Sequence, residues 1–244
     1  MPINDKNSHS DFFVVRRTND SCRRNDAAGQ NDAAGQNDAH SANDSRRPNG
    51  MQEIRFHGRG GQGTVVAGIL LAKAFFKAGY YVQSFPSFGV ERRGAPVEAY
   101  LRIGSEKILV RTTITAPHHI LVQDCRLMQT VAVTQGMQPG GWALLNTPAD
   151  ADFSRLFSDF RLASVDATRI AMENGLGTRT HPMVNTAMIG AFARIMEMPA
   201  IDIVMDTIKA DISLEPEKNA QAAQEAFETV RFHDIQQAGI QKRG

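Results

Sequence analysis

The chain has 244 residues, 42% hydrophobic and 22% charged, with 27 Lys and Arg against 26 Asp and Glu. There is enough apolar material for a real core, while a net charge of +1 argues against nucleic acid or an anionic membrane as the main partner. No apolar run approaches the roughly 20 residues that span a bilayer, and Cys22 and Cys125 are too few for a disulfide framework, a four-cysteine zinc site or a self-contained iron–sulfur cluster.

A boundary falls near residue 50. Apart from Phe12–Val15, residues 1–50 offer almost nothing to bury, and they contain a hexapeptide, Asn-Asp-Ala-Ala-Gly-Gln, at Asn25–Gln30 and again at Asn31–Gln36. Decayed copies begin at Asn37 and Asn43. Two clean copies without an apolar position cannot stack a solenoid core, and so little apolar surface cannot offset the ordering entropy. The expectation is a disordered low-complexity tail over 1–50 and one domain over 51–244. The tail lacks the basic-then-apolar order of a signal peptide; with two cysteines and no spanning run, the chain reads as cytoplasmic.

The first predicted strand, Glu53–His57, runs into the turn Gly58-Arg59-Gly60-Gly61-Gln62-Gly63. Val65, Gly68, Ile69, Ala72, Phe75 and Phe76 then recur at helical spacing up to a C-terminal cap at Gly79. Tyr80–Phe85 supplies a second strand. Strand, glycine turn and helix open a doubly wound α/β unit, and such a turn lets backbone N–H groups approach an anion at the helix N-terminus. Gly58, Gly60 and Gly63 match the dinucleotide fingerprint, but Gln83-Ser84 stands where a nicotinamide enzyme needs an acid for the ribose. The turn is therefore read as binding another phosphate or packing against a neighbouring subunit. The plain alternative is that its glycines serve only close helix–strand packing.

The stretch Ser84–Pro96 carries two aromatics, two prolines, two glycines and the pair Arg92-Arg93, which suits bidentate contact with phosphate or carboxylate. Val97–Ile103, a turn at Gly104–Glu106 and Lys107–Val110 are predicted to form a β-hairpin. Further strands are Ile120–Gln123, Trp142–Asn146 and Leu162–Val165, with a helix from Ala167. Each ends near a polar residue (Asp124, Asn146, Asp166) read as capping the next segment of chain. His118 and His119 are adjacent on a strand and cannot share a metal. His57 is read as a strand end and Cys125 as a small core residue without an activating base. A last helix, Pro216–Arg231, carries an alanine stripe of Ala220, Ala223 and Ala226. The fold class expected is an open doubly wound Rossmann-like sheet with an inserted β-hairpin and C-terminal helices.

The glycine turn at Gly58–Gly63, the Ser84–Pro96 stretch with Glu91-Arg92-Arg93-Gly94, and Asn185-Thr186-Ala187-Met188-Ile189-Gly190-Ala191 together resemble the γ subunit of the 2-oxoacid:acceptor (ferredoxin) oxidoreductases, over roughly residues 51–235. The resemblance implies one part of an enzyme that oxidatively decarboxylates a 2-oxoacid, such as pyruvate or a branched-chain or aryl 2-oxoacid, and passes the acyl group to coenzyme A. Thiamine diphosphate with Mg2+ and the [4Fe-4S] clusters would reside in α, β and δ-type partner subunits, with ferredoxin or another acceptor taking the electrons. It makes Gly58, Gly60, Gly61, Gln62, Gly63, Arg92 and Arg93 candidates for the coenzyme A phosphates. Asn185 would either cap its helix, running to Met198, or point toward the same cleft. No residue of this chain is expected to be catalytic or to bind metal. The alternatives are a purely structural scaffold subunit and a stand-alone NAD-dependent dehydrogenase, the latter disfavoured by Gln83-Ser84.

Overall fold

In the computed structural model, residues 13–15, 50–87, 94–148, 153 and 155–233 are described. The described strands include β1 (Phe13–Val15), β2 (Gln52–Arg59), β3 (Tyr81–Ser87), β4 (Pro96–Gly104), β5 (His119–Val122), β6 (Trp142–Asn146) and β7 (Arg161–Val165). With β10 (Arg231–His233) they form one eight-stranded sheet of order β1-β3-β4-β2-β5-β6-β7-β10. Strands β2, β5, β6 and β7 are mutually parallel, and β4 lies antiparallel between β2 and β3, so β3 runs with them. A two-stranded hairpin, β8 (Gly177–Thr178) and β9 (His181–Pro182), stands apart.

Both faces of the central strands are buried, which is why these segments read as nearly continuous apolar runs. On one face Ile54, Phe56, Leu121 and Leu144 pack under α1 (Thr64–Lys77), α3 (Asn185–Met196), α4 (Ile201–Asp211) and α5 (Pro216–Thr229). On the other, Ile120, Val122, Ala143 and Leu145 are covered by Val133, Met137 and Phe157 from irregular chain. A short helix, α2 (Ala167–Glu173), follows β7. Helix α1 stops at Lys77, with Gly79 in a left-handed conformation and Tyr80 N–H closing on Phe75 O, so the chain turns directly into β3.

Three expectations change. The insertion is real, but the strand beginning at Pro96 pairs with β2 and β3 rather than with Lys107–Val110. The physical reason is Arg102, 1% exposed, whose guanidinium donates to Glu53, Gln83 and the carbonyls of Val110 and Thr112. Carbonyls that satisfy a buried cation hold 110–112 as irregular chain over the sheet. Second, the last helix ends at Thr229, and Arg231–His233 pairs antiparallel with β7. Phe232 meets Trp142 edge-on and Ser164 Oγ lies 2.7 Å from His233 Nε2. Third, Phe13–Val15, inside the segment expected to be disordered, is an edge strand in register with Val82–Ser84. The hexapeptide repeats lie outside the described residues.

The alanine stripe of α5 is where α3 makes its closest approach. A Cβ at Gly190 would fall 2.0 Å from Ala223 O, so the two axes meet at a spacing that only glycine on one side and alanine on the other permit. Gly190→Ala is expected to force α3 and α5 apart and cost about 1–3 kcal/mol, read as a lower urea midpoint.

His119, the first residue of β5, is buried with its Nδ1 accepting from Trp142 N–H and its Nε2 3.2 Å from Gln52 Oε1. Burial, with the nearby charges of His118 and Arg161, pushes its pKa down to about 4 from 6.5. The neutral ring belongs to the fold, so its contribution is complete above pH 6.5 and is lost as pH falls from 6.5 toward 4. Unfolding free energy should drop by up to about 3 kcal/mol over that window from this group. His119→Gln should flatten the corresponding part of the slope in denaturant titrations.

Candidate functional site

Strand order reverses between β2 and β5: the chain goes from β2 through α1 out to β3, then returns to β5 and continues the other way. In open α/β sheets that switch, at the carboxyl ends of the strands, is where a crevice forms. A cleft of about 920 Å³ opens there. Its lining comes from the glycine turn (Arg59–Gln62), the ends of β5 and β6 (Gln123–Arg126, Asn146–Pro148), the start of α2 and the β8–β9 hairpin.

The turn is built by short-range bonds. Arg59 N–H donates to Gln62 Oε1 and Gln62 N–H to Arg59 O, so the Gln62 side chain closes the turn on itself. Gly60 and Gly94 exchange bonds with Ala95 and Gly60, joining the turn to the base of the following loop. The N-cap of α1 is Gly63, left-handed at φ 74°, with no side-chain cap and no acidic residue in the first turn. The first-turn N–H groups and the positive end of the helix dipole are thus left for an anion.

Close approach explains the remaining glycines that matter here. A Cβ at Gly58 would stand 2.0 Å from Thr64 Oγ1, and one at Gly63 would stand 2.6 Å from Asn185 Nδ2. Asn185 is the first residue of α3, not its cap; Val184 holds that place and no side chain caps it. Asn185 is 3% exposed, packs behind Gly63 rather than lining the cleft, and its Oδ1 has no hydrogen-bond partner among the described residues. Of the candidates from sequence, Gly60, Gly61 and Gln62 line the cleft, while Gly58, Gly63 and Asn185 build the wall behind it. Arg92 and Arg93 lie outside the described residues.

Other side chains in the cleft are legible in the sequence only as caps, or not at all. Asp124 does cap, accepting from Arg126 N–H, but it also takes Arg59 Nε at 2.8 Å and the Arg126 guanidinium. Burial would raise its carboxyl, yet the hydrogen bonds from Arg126 and Arg59 hold it below the ordinary value. Arg59 also donates to Gly94 O, tying β2, β5 and the loop base together. Asp166 caps α2 through Arg169 N–H. Asn146 instead ties the end of β5 to the first turn of α2, donating to Gln123 O and Thr168 Oγ1 and accepting from Thr168 N–H. Arg169 pairs with Glu173 and Glu225, and Arg179 sits exposed at the β8–β9 turn. The signal for these residues is present as polar side chains at successive strand ends; their convergence is not.

Cys125 borders the cleft with its thiol donating to Asn146 O, and burial, then Asp124, pushes its pKa up to about 12. Burial thus favours the thiol over the thiolate that a nucleophile would need. His57 is turned away from the glycine turn: Arg55 Nε donates to its Nε2 and its Nδ1 lies 3.3 Å from Glu98. The hydrogen bond from His57 outweighs burial and, with Tyr100, brings the Glu98 carboxyl down to about 2. Among the described residues no group of His, Cys, Asp and Glu converges to hold a metal, and no helix is long and apolar enough to cross a membrane.

The dinucleotide reading fails on geometry as well as on residue type. β4 separates β3 from β2, placing the end of β3 two strand spacings, roughly 10 Å, from the turn. Gln83 lies inside β3, where it accepts from Arg102.

The family profile described as pyruvate ferredoxin/flavodoxin oxidoreductase matches residues 53–229. The chain belongs to that family. The pyruvate synthase subunit PorC of Methanocaldococcus jannaschii is 45% identical over 181 residues, 72% of this chain and 96% of that one. The common γ subunit of the pyruvate/ketoisovalerate oxidoreductases of Thermococcus kodakarensis is 46% identical over 189 residues, 76% of this chain and all of that one. The crystal structure of pyruvate oxidoreductase subunit PORC from Thermotoga maritima superposes with a TM-score of 0.64 at 30% identity, covering 76% of this chain and 99% of that one. This is therefore a γ-type subunit of a 2-oxoacid oxidoreductase, and the mixed sheet with its helical layer is the γ fold.

The geometry separates two kinds of glycine in the turn. Gly61 at φ 96° has open space where a Cβ would go, whereas Gly63 faces Asn185. Gly61→Ala should cost about 1–2 kcal/mol of backbone strain alone, and Gly63→Ala more. Asn185→Ala in the Gly63→Ala background should recover part of the difference in a double-mutant unfolding cycle.

Proposed function

We propose that the chain supplies part of the coenzyme A site of its oxidoreductase, with the nucleotide phosphates seated at the N-terminus of α1 in the cleft between the ends of β2 and β5. The observation that carries this reading is a 14-residue helix whose first turn has no cap and no acidic side chain, opening beside a 920 Å³ cleft. The residues fit a phosphate group. First-turn N–H groups suit an anion, and Gln123 on the cleft floor retains a buried amide nitrogen without a partner among the described residues. Arg126 and Arg179 are exposed on the cleft lining, where they can meet further phosphate charge. Coenzyme A, when bound, supplies the thiol that carries the acyl group away. This chain would hold and orient the nucleotide end, while the glycine turn and Arg59 keep the cleft edge in place.

Its partners would be α, β and δ-type subunits holding thiamine diphosphate, Mg2+ and the [4Fe-4S] clusters, with ferredoxin or another carrier as acceptor and the cytoplasm as compartment. The 2-oxoacid would be pyruvate or a branched-chain or aryl relative such as phenylglyoxylate. Choice among them would rest with the thiamine-bearing subunits; a relative common to pyruvate and ketoisovalerate enzymes fits that division.

Arg92→Ala and Arg93→Ala in the assembled complex should each raise the KM for coenzyme A several-fold. Single-turnover reduction by 2-oxoacid in its absence should remain at the wild-type rate. An unchanged KM in both variants removes the arginine pair from the site.

A further inference from the structure

The floor of the cleft contains a buried donor that the fold does not use. Gln123 is 1% exposed, yet its Nε2 has no hydrogen-bond partner among the described residues. A buried amide left unpaired is unfavourable, and such groups in native proteins call for an explanation. Every other polar atom of the residue is committed. Its N–H donates to His57 O at 2.8 Å, its carbonyl accepts from Asn146 Nδ2 at 2.8 Å, and its Oε1 accepts the Thr64 hydroxyl at 2.6 Å. With Oε1 held by Thr64, the two N–H bonds of the amide are turned away from that hydroxyl. The arrangement exists only because residue 58 is glycine, since a Cβ there would lie 2.6 Å from Gln123 Oε1 and 2.0 Å from Thr64 Oγ1.

Thr64 is the first residue of α1, so the orphaned donor adjoins the uncapped helix N-terminus and belongs to a residue on the cleft lining. We propose that Gln123 is a ligand-binding residue, its amide N–H donating to an anionic phosphate oxygen seated on the first turn of α1. Thr64 is the positioning residue that keeps the amide in its donating orientation. This assignment rests on the reading of the cleft as the seat of the coenzyme A phosphates. A neutral donor suits the place: Arg59 and Arg126 share the single carboxylate of Asp124 and leave cationic charge nearby, and an amide adds a hydrogen bond to the anion without another buried charge.

The test is equilibrium binding of coenzyme A, adenosine 3′,5′-bisphosphate and pantetheine to the assembled complex carrying single substitutions in this chain. Gln123→Leu should weaken the two phosphate-bearing ligands about tenfold and leave pantetheine unchanged. Gln123→Glu should weaken them further, because a carboxylate then faces the anion. Thr64→Val should fall between wild type and Gln123→Leu, with Thr64→Ser restoring binding. Gln123→Leu removes an unpaired buried amide nitrogen but also takes the acceptor from the Thr64 hydroxyl, so its ligand-free unfolding midpoint is measured alongside and affinity is read where the variant is fully folded. Val66→Asp, which puts an acid on the exposed side of the first turn of α1, separates the two readings. If Val66→Asp weakens coenzyme A and Gln123→Leu does not, the cleft assignment stands and the role of Gln123 is overturned. If neither changes binding, both are overturned.

Discussion

Two absent methyl groups set the geometry on which the site depends. Without a Cβ at Gly58, β2, the start of α1 and the end of β5 draw together until Thr64 and Gln123 share a hydrogen bond across the strand end. Without one at Gly63, α3 can place Asn185 against the same turn. The close approach costs conformational entropy at each glycine and is offset by burial beneath it, where Phe56, Phe75 and Leu121 are fully enclosed. The helix N-terminus is thereby held at the lip of the cleft by steric contact on both sides, with no cap of its own.

Charge follows the same economy. Asp124 serves as cap, as partner to Arg59 and as partner to Arg126, so one carboxylate offsets one of the two cations beside it. Exposed cationic side chains are displaced outward, to Arg126 and the β8–β9 turn. Arg59 joins Asp124 to the loop base at Gly94 through a single side chain.

Antiparallel insertion of β4 gives the sheet its departure from a nucleotide-binding dehydrogenase. It moves β3 out of reach of the turn, and its buried Arg102 recruits the carbonyls of 110–112 that would otherwise be free to pair as a strand. The same glycine spacing thus stands in a different sheet, without the ribose-binding position of a dehydrogenase. Family membership makes the chain one subunit of a larger oxidoreductase.

Local pattern by itself determined the strand–turn–helix opening, the buried central strands, the helical end of the chain and the resemblance carried by three short motifs. These depend on periodicity, glycine placement and residue order, which neighbours along the chain encode. Asp124 and Asp166 were legible as caps for the same reason. Only the tertiary structure decided that β4 pairs inward, that Phe13–Val15 and Arg231–His233 close the two sheet edges, and that Gln123, Asp124, Asn146 and Arg179 meet around one cleft. Each of those depends on contacts between residues far apart in sequence. A buried arginine choosing carbonyls, or an amide left without a partner, leaves no periodic trace in the chain that folds around it.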